Sequence, residues 1–310
     1  MELTGLHHVS AITAHAADNV KFYTETLGLR LVKKTVNQDD TTSYHFFYGD
    51  RIGSPGSEVT FFDWRFASSN KPGAGAISTI ALSVNSGAVE WWAKRLKDNH
   101  IDFKDISDAI GRPALDFADP EGQHLRIVGE PAAGNPWERS SVPIEYGVRG
   151  MHHVTLTVHD LSSINKVLVD ILAMRQTVEY ISDGHPVTVY ETGLGGAGKQ
   201  VHVVKALVPV PVRLGAGGVH HVAFRTPDFE EQQQWLERIK SAGLNVSGLI
   251  DRYYFRSIYF REPGGILFEI ATDGPGFAAD EDPEHLGERL ALPPFLEPRR
   301  SQIEAGLIPI

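Results

Sequence analysis

Three stretches of the chain alternate apolar and polar residues around a histidine pair: Leu6-His7-His8-Val9, Met151-His152-His153-Val154 and Val219-His220-His221-Val222. Alternation of period two marks a half-buried β-strand. A fourth stretch, Ile77-Ser78-Thr79-Ile80, alternates in the same way without the histidines. Each is followed by helical periodicity, roughly over 18–27, 88–99, 161–173 and 229–242, the last with Trp235, Leu236 and Ile239 on one face. Gly28, Asn99 and Gly243 stand where these helices should stop. About thirty residues of short strand-like runs broken by Gly, Pro and Asp come next, such as Pro186–Glu191 and Val201–Lys205 in the third copy.

The unit is therefore one strand, one helix and three strands, and it recurs over approximately 5–66, 76–130, 150–206 and 217–273. Copies two and four also end alike, in the turns Asp119-Pro120-Glu121-Gly122 and Glu262-Pro263-Gly264-Gly265. Joints rich in Pro and Gly fall at 70–76, 131–136 and 207–218. A repeat of this length sets the architecture: an α+β fold of four βαβββ modules. The chain divides into an N-terminal module pair, 1–140, a C-terminal pair, 141–273, and a Pro-rich, partly apolar tail, 274–310, expected to pack on the body.

Parity then sorts the histidines. Successive side chains on a strand face opposite sides, so one histidine of each pair should face away from the other. In copy four His220, Val222 and Phe224 share a face, and His221, Ala223 and Arg225 share the opposite one. The apolar face belongs beneath the helix, which leaves His8, His153 and His221 on a concave side. In the last strand Ile266, Phe268 and Ile270 form the apolar face, so Glu269 points with the histidines. Histidines and a carboxylate with open positions suit Fe(II), Mn(II) or Zn(II), and the open positions let substrate oxygens bind and be polarised. Two assemblies remain open. Pairing modules one and four gathers His8, Thr60, His221 and Glu269, whereas pairing three and four gathers His153, His202, His221 and Glu269 in a more closed site. In the first case modules two and three hold Thr79, Arg126, His153 and His202, where the cation argues against a second metal.

Composition narrows the classes. At 310 residues, 42% hydrophobic and 22% charged, the chain has the balance of a globular protein with a substantial core. A net charge of -10 offers no basic surface to nucleic acid or to an anionic membrane. The absence of cysteine excludes disulfides, thiolate metal sites and cysteine nucleophiles. Neither a signal-like start nor a membrane-length apolar run occurs, so a cytoplasmic protein is expected, with homo-oligomerisation left open. The glycine-rich run 193–198 precedes a strand and lacks a following Lys-Ser/Thr, so it reads as a tight turn. The acidic run 280–284 reads as a solvated loop, and His45, His100, His124, His159 and His185 fit no ligand position.

Four such modules, with histidine on first strands and glutamate on a last strand, resemble the vicinal oxygen chelate superfamily over residues 5–273. That superfamily includes glyoxalase I, bleomycin- and fosfomycin-resistance proteins and extradiol ring-cleaving dioxygenases. The resemblance implies modules paired into two cupped, incomplete β-barrels with helices outside. The run from Tyr259 through Glu262-Pro263-Gly264-Gly265 to Glu269 resembles the extradiol signature, with a tyrosine ten residues before the ligand glutamate. That signature carries a histidine shortly before the tyrosine, where this chain has Arg252. Arginine cannot shuttle protons near neutral pH and acts by charge and hydrogen bonding. Hydroquinone 1,2-dioxygenases resemble this chain in having that arginine. Their likeness implies metal ligands at His8, His221 and Glu269, with His7, His220, Arg252 and Tyr259 as catalytic or substrate-contacting neighbours, and Ser10 where those relatives tend to have threonine. It further implies an Fe(II)-dependent dioxygenase, with Mn(II), Zn(II) or Ni(II) as other fits, that opens a hydroxylated aromatic with both atoms of O2, hydroquinone in preference to catechol. A glyoxalase-type Zn(II) or Ni(II) lyase or isomerase, and a non-catalytic aromatic- or drug-binding protein, are the alternatives.

Overall fold

The computed structural model describes residues 1–107, 111–207 and 210–310; residues 108–110 of the second copy and 208–209 of the third joint lie outside the described residues. Module one contributes β1 (Leu6–Thr13), β2 (Arg30–Val36), β3 (Tyr44–Gly49) and β4 (Glu58–Asp63), and module two β5 (Ala76–Ser83), β6 (Phe103–Ser107), β7 (Pro113–Ala118) and β8 (His124–Val128). Module three contributes β9 (Met151–Val158), β10 (Arg175–Ser182), β11 (His185–Glu191) and β12 (Gln200–Lys205), and module four β13 (Gly218–Thr226), β14 (Ile250–Asp251), β15 (Arg256–Arg261) and β16 (Leu267–Thr272). The module helices are α1 (Ala16–Lys21), α2 (Val89–Asp98), α3 (Leu161–Asn165) and α4 (Phe229–Ser241), with α5 (Arg300–Gly306) in the tail.

Two eight-stranded sheets result, ordered β14-β15-β16-β13-β1-β4-β3-β2 and β10-β11-β12-β9-β5-β8-β7-β6. Modules one and four build the first, here the terminal sheet; modules two and three build the middle sheet. First strands meet at the centre of each, β1 with β13 and β5 with β9, both antiparallel. The division at residue 140 is thus one of sequence, since each sheet takes a module from each half. The alternative that pairs modules three and four is overturned, because β13 is hydrogen-bonded to β1 and β16, not to a strand of module three.

The apolar parity of each first strand packs beneath its helix. Val222, Phe224, Phe268 and Phe260 are buried with Trp235 and Ile239 of α4, and truncation of the fully buried Trp235 to alanine would cost roughly 3–5 kcal/mol. Asp228 starts α4 by accepting from the Glu231 N–H at 2.8 Å. Two helices depart from plain periodicity: α1 and α3 continue as π-helical turns over Phe22–Thr26 and Lys166–Ile171. The wider turn lets neighbours Phe22 and Tyr23, and Val167 and Leu168, all bury.

The tail packs against module one. Ala291 N–H donates to the Lys34 carbonyl, and Phe277, Leu286, Leu292, Leu296 and Ile303 are buried. The acidic run at 280–284 is not simply a solvated loop. Asp280 and Glu281 both pair with Lys33, which is buried to 0% exposure, because a buried ammonium requires countercharge. Among the described residues no helix is long and apolar enough to cross a membrane.

Candidate metal centre

Strict parity fails at the histidine pairs, and the failure builds the site. Between β1 and β13 the register runs Leu6↔Phe224 then His8↔Ala223, and Ser10↔His221 then Ala11↔Val219. His7 and His220 are therefore the extra residues of two β-bulges. Ser78 and His152 take the same place between β5 and β9. Each bulge turns the first ring of a pair alongside the second: Nδ1 of His7 lies 2.9 Å from Nδ1 of His8, and Nδ1 of His220 lies 2.8 Å from Nδ1 of His221. The expectation that the first histidine faces away from the second is corrected accordingly.

The hydrogen-bond chain fixes the protons. Nε2 of His7 lies 3.1 Å from the carbonyl of Thr272, which can only accept, so His7 carries its proton there. Its Nδ1 then accepts from His8 Nδ1–H, and His8 Nε2 is left as a bare lone pair. Burial, with the neighbouring His8, depresses His7 to a pKa of about 3, and burial with His221 does the same for His220. Both stay neutral, and a neutral His220 can accept from His221 Nδ1–H in the same way, which would leave His221 Nε2 bare.

Glu269 on β16 completes the cluster. Its Oε1 accepts from the Ser257 hydroxyl at 2.5 Å, while Oε2 stands 2.9 Å from His221 Nε2 and 3.3 Å from His8 Nε2. The two Nε2 atoms are 3.4 Å apart. Three buried acceptor atoms facing one another require a positive charge between them. Burial alone would raise the Glu269 carboxyl, but a proton shared between it and the facing histidine nitrogens would hold it well below the usual range. In place of such a proton a divalent cation fits: bonds of about 2.1 Å at right angles set neighbouring ligands about 3.0 Å apart. A second group, His7, His8 and Glu58, is also compact. There the two Nδ1 atoms already satisfy each other, and burial pushes the Glu58 carboxyl up towards its neutral form, so it fits a cation poorly.

A cavity of about 300 Å³ opens over His8 and His221. Its apolar wall comes from Val36, Phe47, Phe62, Trp64, Phe255 and Leu267. Its polar groups include Ser10, Asp39, His45, Arg252 and Tyr259. Arg252 Nε–H donates to the Tyr259 hydroxyl at 3.3 Å, and Tyr259 meets His221 edge-on. Burial, then the charge of Glu269, raises the Tyr259 hydroxyl well above its ordinary pKa, so it remains a donor. Arg252 reaches this position because β14 is only two residues long and Tyr253 turns the chain at φ 70, its N–H held by Asp251 Oδ1 at 2.8 Å.

His45, read as outside any site, lines the cavity with Nε2 2.9 Å from the Thr60 hydroxyl, itself 2.7 Å from that of Ser10. The signal was parity on β3: Tyr44, Phe46 and Tyr48 are buried in the core, which turns His45 and Phe47 to the cavity. Asp39 was also missed; it accepts from both terminal nitrogens of Arg252.

His153 and His202 meet in the middle sheet, where their rings stack at 3.7 Å and 6°. Arg126 binds Asp116 there through Nε and NH2 at 2.6 and 2.8 Å. The closed set of His153, His202, His221 and Glu269 is not assembled. Among the described residues, both groups of three or more ligands that could hold a metal lie in the terminal sheet.

Fold and site together define a member of a metal-binding βαβββ family, and the chain belongs to the Glyoxalase/Bleomycin resistance protein/Dioxygenase superfamily, whose model matches residues 5–127 and 150–270. MhqA of Bacillus subtilis (strain 168), provisionally named a ring-cleaving dioxygenase, is 43% identical over 315 residues, covering 100% of each chain. The chlorohydroquinone/hydroquinone 1,2-dioxygenase of Sphingobium indicum is 33% identical over 94% of this chain and 92% of its own. A crystal structure from Bacillus subtilis, provisionally described as a dioxygenase, superposes with a TM-score of 0.92 at 39% identity over 100% of this chain and 98% of the other.

Proposed function

We propose that the protein is an Fe(II)-dependent, extradiol-type dioxygenase that opens a hydroquinone ring, with His8, His221 and Glu269 as the metal ligands. The observation that carries this reading is the cluster of three buried acceptor atoms at the floor of a largely apolar, ring-sized cavity. Full-length relatives that bear ring-cleaving dioxygenase names support it, one of them a hydroquinone enzyme. When bound, the metal supplies a Lewis-acidic, redox-active centre with open positions for substrate oxygen and dioxygen.

The chain's own residues do the rest. Phe47, Phe62, Trp64 and Phe255 enclose an aromatic ring and exclude water. His7 and His220 keep the Nδ1 protons of His8 and His221 in place, which fixes both ring orientations and keeps both Nε2 lone pairs inward. Tyr259 accepts from Arg252 Nε–H, and its own O–H can then donate to an oxygen of the substrate. Arg252 in place of a histidine cannot take the second hydroxyl proton of a catechol, which favours hydroquinone. O2 adds across the bond between a hydroxyl-bearing ring carbon and its neighbour, so the product has the composition of hydroquinone plus O2.

Anaerobic reconstitution with Fe(II), followed by oxygen uptake with hydroquinone and with catechol, tests the reading. One O2 consumed per hydroquinone, with loss of the aromatic absorbance, is expected. Absence of uptake above background with either ring sinks it, and activity that persists without oxygen on a hemithioacetal would favour the glyoxalase-type alternative.

A further inference from the structure

We propose that Asp39 selects among hydroquinones: by occupying the guanidinium fork of Arg252, it reserves the cavity for rings whose substituents are uncharged. The proposal rests on the dioxygenase reading above and adds to it a residue that sets specificity.

Asp39 lies in the turn between β2 and β3 of module one, and Arg252 follows β14 of module four, so they meet only because the terminal sheet joins those modules. The Asp39 carboxylate accepts from NH1 at 3.2 Å and from NH2 at 3.0 Å. This is the two-pronged geometry in which a guanidinium recognises carboxylate. The turn also grips the backbone of Arg252, through Gln38 Nε2 donating to its carbonyl at 2.8 Å. The turn is braced internally, because Asn37 Oδ1 accepts the Asp39 N–H and Asp40 Oδ1 accepts the Thr42 N–H. Asn37, Gln38, Asp39 and Arg252 all line the cavity that contains His8 and His221.

Of the donors of Arg252, Nε–H is committed to Tyr259 and the fork to Asp39. An unpaired guanidinium at a cavity wall would recruit a carboxylate on the ring. Here the protein supplies that carboxylate itself. A substrate carboxylate would have to displace Asp39 and then lie beside its released negative charge, while a hydrogen, alkyl or halogen substituent meets neither cost. Asp39 is 73% exposed at its side chain, so it contributes little to stability and can be changed without unfolding the protein.

The test compares Fe(II)-loaded wild type with Asp39→Asn and Asp39→Glu on hydroquinone and on 2,5-dihydroxybenzoate, by oxygen uptake. Wild type is expected to prefer hydroquinone, Asp39→Asn to shift the kcat/KM ratio towards the carboxylated ring by about tenfold, mainly through KM, and Asp39→Glu to retain the wild-type preference. Independently of turnover, calorimetry on the metal-free proteins should give tighter binding of 2,5-dihydroxybenzoate relative to hydroquinone in Asp39→Asn than in wild type. An unchanged ratio and unchanged binding in Asp39→Asn overturn the proposal. A wild type that turns over neither ring overturns the dioxygenase reading instead, and the calorimetry still decides the role of Asp39.

Discussion

The terminal and middle sheets are built from the same module, paired in the same way, yet they bring different groups together. Both carry bulged residues at their central strands and a histidine pair with facing Nδ1 atoms. In the middle sheet Glu130 holds Nε2 of His152, as the Thr272 carbonyl holds that of His7, and His153 Nε2 is buried without a hydrogen-bond partner among the described residues. The histidine relay is thus common to both and cannot by itself make a metal centre. The difference lies on a central strand and on the last strand: where the terminal sheet has His221 the middle sheet has Thr79, and where Glu269 stands beside Ala223, Arg126 stands beside Ala81. A carboxylate there completes an acceptor cluster, whereas a guanidinium repels a cation and has its own partner in Asp116. The fold supplies the cup, and the residues on its central and last strands decide what it can hold.

That contrast can be broken most sharply at the ligands. His221→Ala or Glu269→Ala should remove metal and lower kcat/KM by roughly a thousandfold or more, while His153→Ala and His202→Ala leave metal content at wild-type level, as measured by elemental analysis and oxygen uptake. Loss of metal in His153→Ala would reverse the assignment of the two sheets. A smaller effect is expected one residue away. His7→Ala and His220→Ala should weaken metal affinity by about 10–100-fold in a competition titration, and His152→Ala should not. Arg126→Ala leaves Asp116 unpaired and should lower the urea unfolding free energy by roughly 2–3 kcal/mol without changing metal content.

The smallest expected effect concerns pH. Burial, followed for His153 by the facing His202, depresses the stacked His153 and His202 well below 6.5. Below about pH 6.5 the unfolded chain takes up protons that the folded chain does not, so stability falls as pH falls. Each histidine contributes a slope of at most about 1.4 kcal/mol per pH unit. Metal-free protein carrying His153→Asn and His202→Gln should therefore lose less stability than wild type between pH 6.5 and 5 in thermal melts; an identical slope would show that these two rings titrate normally.

Much of this was legible in the sequence, for physical reasons that also mark where legibility stops. Period-two alternation placed His8, His221 and Glu269 on one face because burial beneath a helix leaves only one face for polar groups. The same rule misread His7 and His220, since a bulge is a property of two paired strands and leaves no local signature. Applied to Tyr44–Tyr48 the same rule turns His45 to the cavity, but a lone histidine carries no repeat to mark it as part of a site. Module pairing could not be read locally, because it depends on whether β13 finds β1 or a strand of module three. Lys33 with Asp280 and Glu281, and Asp39 with Arg252, are likewise contacts between segments more than 200 residues apart. The acidic run at 280–284 reads as solvated from the sequence because the position of Lys33 beside it is set only by the fold.

On the proposed assignment the terminal sheet alone would hold the metal, through His8, His221 and Glu269. Anomalous X-ray diffraction at the iron edge from crystals of the Fe(II)-loaded protein tests it most directly. One peak is expected, about 2.1 Å from Nε2 of His8, Nε2 of His221 and Oε2 of Glu269. A peak beside His153 and His202, or none at the Glu269 carboxylate, would contradict it.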